Sequence, residues 1–112
     1  MNNKTKKSSQ EIQKRLKEIS EIVEKVIKEE KLEKNIKSVS VFGSVVRGEE
    51  DKDSDIDFFV EFYEPLGLIK FCGIKIKLED CINRNVDLIT PNSLHPALKK
   101  GVLSSLKTVY EK

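Results

Sequence analysis

The sequence predicts a mixed α/β (α+β) fold, a small mixed β-sheet flanked by helices, and three observations carry that prediction. Ile12, Leu16, Ile19, Val23 and Val26 step by four, three, four and three residues, which marks one face of a helix. Asp55 to Phe62 is rich in Phe, Ile and Val, the composition of a strand. Helix-type and strand-type segments then alternate along the chain, the pattern of a mixed class.

In chain order, Ser8 or Ser9 caps the first helix, which is expected to run to about Leu32. Its heptad-like spacing also suits a coiled-coil seam, but the run is shorter than such seams sustain, so packing on a sheet is the better reading. Ser38 to Phe42 reads as a short strand ended by Gly43. Ser44 to Gly48 forms a turn or a first helical turn, and Glu49 to Asp53 a charged loop. The Asp55 to Phe62 strand stops before Pro65 and Gly67. Leu68 to Ile82 fits two periods. Ile74, Ile76 and Leu78 alternate with lysines as in a strand, whereas Leu68, Phe71, Ile74, Leu78 and Ile82 fit a helix, and length favours the helix. Val86 to Ile89 is a third strand, ended by Thr90 and Pro91. A short helix is expected from about Ser93 to Lys100, and the last residues, through Val109 and Tyr110, to close against the sheet.

The 112 residues suit one domain, placed at 9–112. The polar stretch 1–8, with Lys4, Lys6 and Lys7, reads as a disordered, solvated tail. Net charge is +2, from 21 basic and 19 acidic residues, with the signs mixed along the chain. A dedicated nucleic-acid binder shows a basic stripe instead. Aromatics make up only 6% and Trp is absent, which argues against a base-stacking surface. No apolar run approaches membrane-spanning length and no signal-type stretch opens the chain, so a cytoplasmic location is expected. Cys72 and Cys81 match no zinc or redox spacing and are expected as buried thiols.

Chemistry concentrates in two short stretches. Asp55 and Asp57 lie two apart on a strand and so share a face. Ile56, Phe58 and Val60 face the other way, into the core. Adjacent carboxylates repel, which favours a cation between them, and hard oxygen donors suit Mg²⁺. Taken alone, D-x-D also describes an exposed acidic strand. Upstream, Gly43 permits close backbone approach to a ligand, and Ser44 opens a turn whose N–H groups suit anionic oxygens. Taken alone, that is equally an ordinary capped turn. Gly43 to Gly48 is not a P-loop, because Glu49 and Glu50 follow where Lys and Ser or Thr are required. The dinucleotide fingerprint also fails, because its three-glycine spacing is absent.

Together the pieces read G-S-x₁₀-D-x-D, from Gly43-Ser44 to Asp55 and Asp57. This pattern resembles the signature of the DNA polymerase β-like nucleotidyltransferase superfamily. The fuller string, F-G-S-x-x-R-G followed by S-D-I-D, resembles the minimal nucleotidyltransferase (MNT) family. Val86-Asp87-Leu88-Ile89-Thr90-Pro91 and Leu94-His95-Pro96 are also similar to it, so the likeness covers about residues 36–110. The resemblance implies a polymerase β-like fold and a third strand carboxylate at Asp87. It implies two Mg²⁺ ions held among Asp55, Asp57 and Asp87, with Gly43, Ser44 and Arg47 on the nucleotide. Arg47 is equally suited to pair with Glu49, Glu50 or Asp53. Many members carry a further arginine directly after the serine, where Val45 stands here. His95 is expected to play a structural part at a helix start. The family also resembles the antitoxin half of HEPN–MNT toxin–antitoxin pairs, which implies transfer of AMP from ATP to a tyrosine of a HEPN ribonuclease toxin. A purely binding antitoxin, and a transferase for a small molecule or an RNA end, are the alternatives.

Overall fold

The computed structural model describes residues 6–112. The opening amphipathic segment forms α1 (Ser9–Glu29), started by a capping box. Ser8 Oγ accepts from the Glu11 amide and Glu11 Oε1 accepts from the Ser8 amide, which satisfies two donors that a helix start leaves over. The helix stops three residues short of the expected Leu32 because Lys31 turns left-handed, at φ 57°. The Leu32 amide then bonds Ile27 O (2.9 Å) and the Lys31 amide bonds Lys28 O (3.1 Å), a Schellman ending that folds Leu32 into the core.

The strands are β1 (Ile36–Phe42), β2 (Ile56–Phe62), β3 (Val86–Ile89) and β4 (Lys107–Glu111). They form one sheet in the order β3-β2-β1-β4. β1 pairs antiparallel with β2 and with β4, while β2 and β3 run parallel, so the sheet is mixed, as expected. The ambiguous segment is helical, α3 (Leu68–Ile82), capped by Asn83 at φ 63°. A one-turn helix, α2 (Ser44–Arg47), follows β1, and α4 (Pro96–Ser104) starts three residues later than expected. His95 decides that start. Its Nδ1 accepts from the Ala97 amide at 3.0 Å, and Pro96 takes the first helical position, where its missing N–H costs nothing.

Strand alternation sorts the two faces of the sheet. Val39, Val41, Ile56, Phe58, Val60 and Val86 pack in one core cluster with Ile19, Val23, Val26 and Ile27 of α1 and Ile74, Leu78 and Ile82 of α3. The opposite face carries Ser38, Ser40, Asp57 and Glu61 by register, together with Phe42 and Phe59. One helical layer therefore closes one side; on the other, Ser38, Ser40 and Phe59 are also buried, while Asp57 is half-buried and Asp87 exposed at the strand end.

Two expectations need correction. Cys72 and Cys81 are exposed rather than buried. α3 buries the line Ile74–Leu78–Ile82; at 100° per residue Cys72 points about 120° away from Leu78, and Cys81 lies at the margin of the line, about 60° away. Within the expected tail, residues 1–5 lie outside the described residues, Lys4 among them. Lys7 is tied down: its amide donates to Gly48 O at 2.9 Å and its Nζ to Glu50 O at 3.0 Å. Among the described residues, no helix is long and apolar enough to cross a membrane.

Candidate active site

The site begins with strand register. Phe42 pairs with Asp57 across β1 and β2, and Asp57 pairs with Asp87 across β2 and β3. Cross-strand partners project from the same face, so Asp57 and Asp87 stand side by side, with Gly43 one step beyond Phe42. Asp55 lies two residues before Asp57, just ahead of β2. The structure thus brings Gly43, Ser44, Asp55, Asp57 and Asp87 to one end of the polar face. Ile56, Phe58 and Val86 are buried beneath, at 0%, 0% and 2% exposure, which anchors both strands as the alternation predicts.

Gly43 is required twice over. Its φ of 81° with ψ of −147° belongs to a region that side chains all but exclude. A Cβ there would lie 2.5 Å from Asp57 Oδ2. The carboxylate therefore rests against bare backbone. From this glycine the chain enters α2, whose first turn has no side-chain cap. The Val46 and Arg47 amides bond Gly43 O at 3.1 and 3.2 Å, leaving those of Ser44 and Val45 without a partner inside the turn.

Burial raises the Asp57 pKa above its ordinary value, and the charges of Asp87 and then Asp55 push the same way, against a smaller opposing pull from Arg47. A half-buried acid among like charges favours a cation. Among the described residues, no three His, Cys, Asp or Glu side chains already form a metal-ligating group.

Arg47 takes one of its expected partners, with Nε 2.9 Å from Glu49 Oε1, both side chains being largely exposed. Glu50 turns away to Arg15 of α1. Val45, at the position where many members carry arginine, is 2% exposed and packs in the core. Arg15 and Arg84, which meet Glu50, carry no sequence signal, because nothing in the periodicity of a charged loop marks one carboxylate as buried. Beside the turn, α4 and Arg47 border an open groove of ≈ 350 Å³ reached by Gly43, Ala97 and Gly101.

The chain is 43% identical over 72 residues to a candidate protein adenylyltransferase of Methanocaldococcus jannaschii, a match covering 63% of this chain and 74% of that one. It is 41% identical over 68 residues to the protein adenylyltransferase MntA of Thermococcus cleftensis, covering 61% and 69%. A solved structure of a candidate minimal nucleotidyltransferase superposes with a TM-score of 0.68 at 32% identity, over 84% of this chain and 92% of that one. A chain of the complex between the tri-AMPylated HEPN toxin of Shewanella oneidensis and an MNT antitoxin shares the fold, with a TM-score of 0.64 at 21% identity over 87% and 73%. The polymerase beta nucleotidyltransferase model matches residues 10–112, and the chain belongs to that family of nucleotidyltransferases.

Proposed function

We propose that this nucleotidyltransferase is a protein adenylyltransferase that acts as an antitoxin, moving AMP from ATP onto a tyrosine of a HEPN ribonuclease toxin. The observation that carries the reading is the register setting Asp57 beside Asp87, with Gly43 backing Asp57. The relatives' names supply the acceptor class, since two relatives at 41% identity or more are protein adenylyltransferases by name.

The donor set suits Mg²⁺: three carboxylates, no soft ligand, and a burial and like-charge environment that strains Asp57 in its ionised form. Such an ion takes only one or two protein carboxylates and fills its shell with waters and phosphate oxygens. When bound, a pair of Mg²⁺ ions would lower the pKa of the acceptor hydroxyl and offset the charge on departing pyrophosphate. Asp55 and Asp57 would hold the triphosphate side of that pair, and Asp87 would complete the acceptor side. Ser44 Oγ and the amides of Ser44 and Val45 would grip the β- and γ-phosphates. The tyrosine oxygen bonds to the α-phosphorus, the bond to pyrophosphate breaks, and Asp87 takes the phenolic proton. Arg47, released from Glu49, can reach a phosphate.

The test is incubation with labelled ATP, Mg²⁺ and the partner protein. Label should appear on the partner and fall at least about 10²-fold with Asp55→Ala or Asp57→Ala. Neutralisation of the toxin that survives both changes would establish a purely binding antitoxin. Label on an RNA end or a small molecule, and none on the partner, would move the acceptor elsewhere.

A further inference from the structure

A single buried carboxylate joins three segments that feed the site. The Glu50 side chain is 5% exposed. It accepts from Arg15 Nε at 2.9 Å and Arg15 Nη2 at 2.8 Å, a two-pronged pair that fixes orientation as well as charge. Arg84 Nε lies 3.7 Å from the same Glu50 oxygen. That nitrogen is buried without a hydrogen bond, while Arg84 Nη1 is spent on Asn83 O at 3.0 Å. Lys7 adds a fourth tie through Glu50 O and Gly48 O.

The positions of these residues in the chain give the cluster its meaning. Glu50 follows the turn of Ser44 and precedes Asp55 by five residues, and Arg84 precedes Asp87 by three. Between them the Ile56 amide bonds Asn85 O at 2.9 Å, the first link between the two strand roots. A buried cationic donor left without a hydrogen bond is costly. The Glu50 charge is what compensates Arg84 there, and Arg15 fixes where that charge sits.

We propose that Glu50 is a positioning residue: by holding Arg15 of α1 and Arg84 together, it sets the loop delivering Asp55 against the strand root delivering Asp87. The inference rests on reading Asp55, Asp57 and Asp87 as the site, and adds that their spacing is fixed from outside it.

The test compares wild type, Glu50→Gln and Asp57→Asn by amide NMR and by Mn²⁺ titration followed by electron paramagnetic resonance. In Glu50→Gln, shifts and faster amide exchange should concentrate at residues 50–57 and 84–87 and spare α3, and Mn²⁺ should bind about 10-fold more weakly. Unchanged amides at Asp55 and Asp87 would overturn the proposal, as would protection lost evenly through sheet and helices. Wild type that takes up no Mn²⁺ even with a non-hydrolysable ATP analogue present, or Asp57→Asn that binds it as tightly, would sink the site reading, and the amide map would still judge Glu50. Should Glu50→Gln not fold, Arg84→Gln removes one arm at a side chain 24% exposed. It should shift residues 84–87 and Asp55, and a silent map there would end the idea.

Discussion

At residue 43 the backbone and the carboxylate chemistry cannot be separated. A methyl group at Gly43 would meet Asp57 Oδ2 and would also have to adopt φ 81°. Gly43→Ala should therefore cost about 1–3 kcal/mol of stability from backbone strain alone. Transfer should fall roughly 10²-fold per folded molecule, because the carboxylate is displaced. Chemical denaturation alongside the labelling assay separates the two effects. Asp57 makes a second prediction. Its raised pKa means that the native state holds the proton more tightly than the unfolded state does, so the ionised side chain costs stability. That cost is absent below the ordinary carboxylate range and grows as pH rises through the raised pKa. In metal-free buffer, Asp57→Asn should therefore melt a few degrees higher than wild type at pH 7. The difference should vanish near about pH 3. Melting curves across that range decide it, and equal melting at pH 7 would show that neither burial nor the neighbouring acids strain the Asp57 carboxylate.

At the scale of elements, what the sequence disclosed depended on how local the cause was. β3 falls where the Val86 alternation puts it, whereas α3 fits two periods and length decided for the helix whose Ile74–Leu78–Ile82 line is buried. The two-residue period puts Asp55 and Asp57 on one face, Asp87 entered only through the family resemblance, and the register that sets Asp87 beside Asp57 was left to the fold. The end of α1 was misjudged because a lysine, not a glycine, takes the left-handed position. Glu50 was invisible as a buried acid, because its partners lie 35 and 34 residues away in sequence and loop composition says nothing of them. The start of α1 is local and predicts cleanly. Ser8→Ala removes one half of the capping box and should cost about 1 kcal/mol, read as a lower urea midpoint with unchanged slope. A change in slope would mean that the cap also shapes the unfolded chain.

At the scale of the whole molecule, charge balance makes the cation question testable without a partner protein. The 21 basic and 19 acidic residues give a net charge of +2, so there is no overall attraction for divalent cations, and any strong effect of Mg²⁺ must be local. The strain on Asp57 says where. Without metal the native state bears three acids at one sheet end that Arg47 offsets only in part, and a bound ion turns that repulsion into attraction. A ligand held only by the native state stabilises it by about 2.7 kcal/mol at a concentration 100 times its Kd. The order of stability should therefore invert. Asp57→Asn should melt above wild type in chelator and below it in saturating MgCl₂, with NaCl of matched ionic strength moving neither relative to the other. Parallel lines across the titration would mean that Mg²⁺ acts on surface charge in general, and that the carboxylate triplet holds no ion unless the triphosphate brings it.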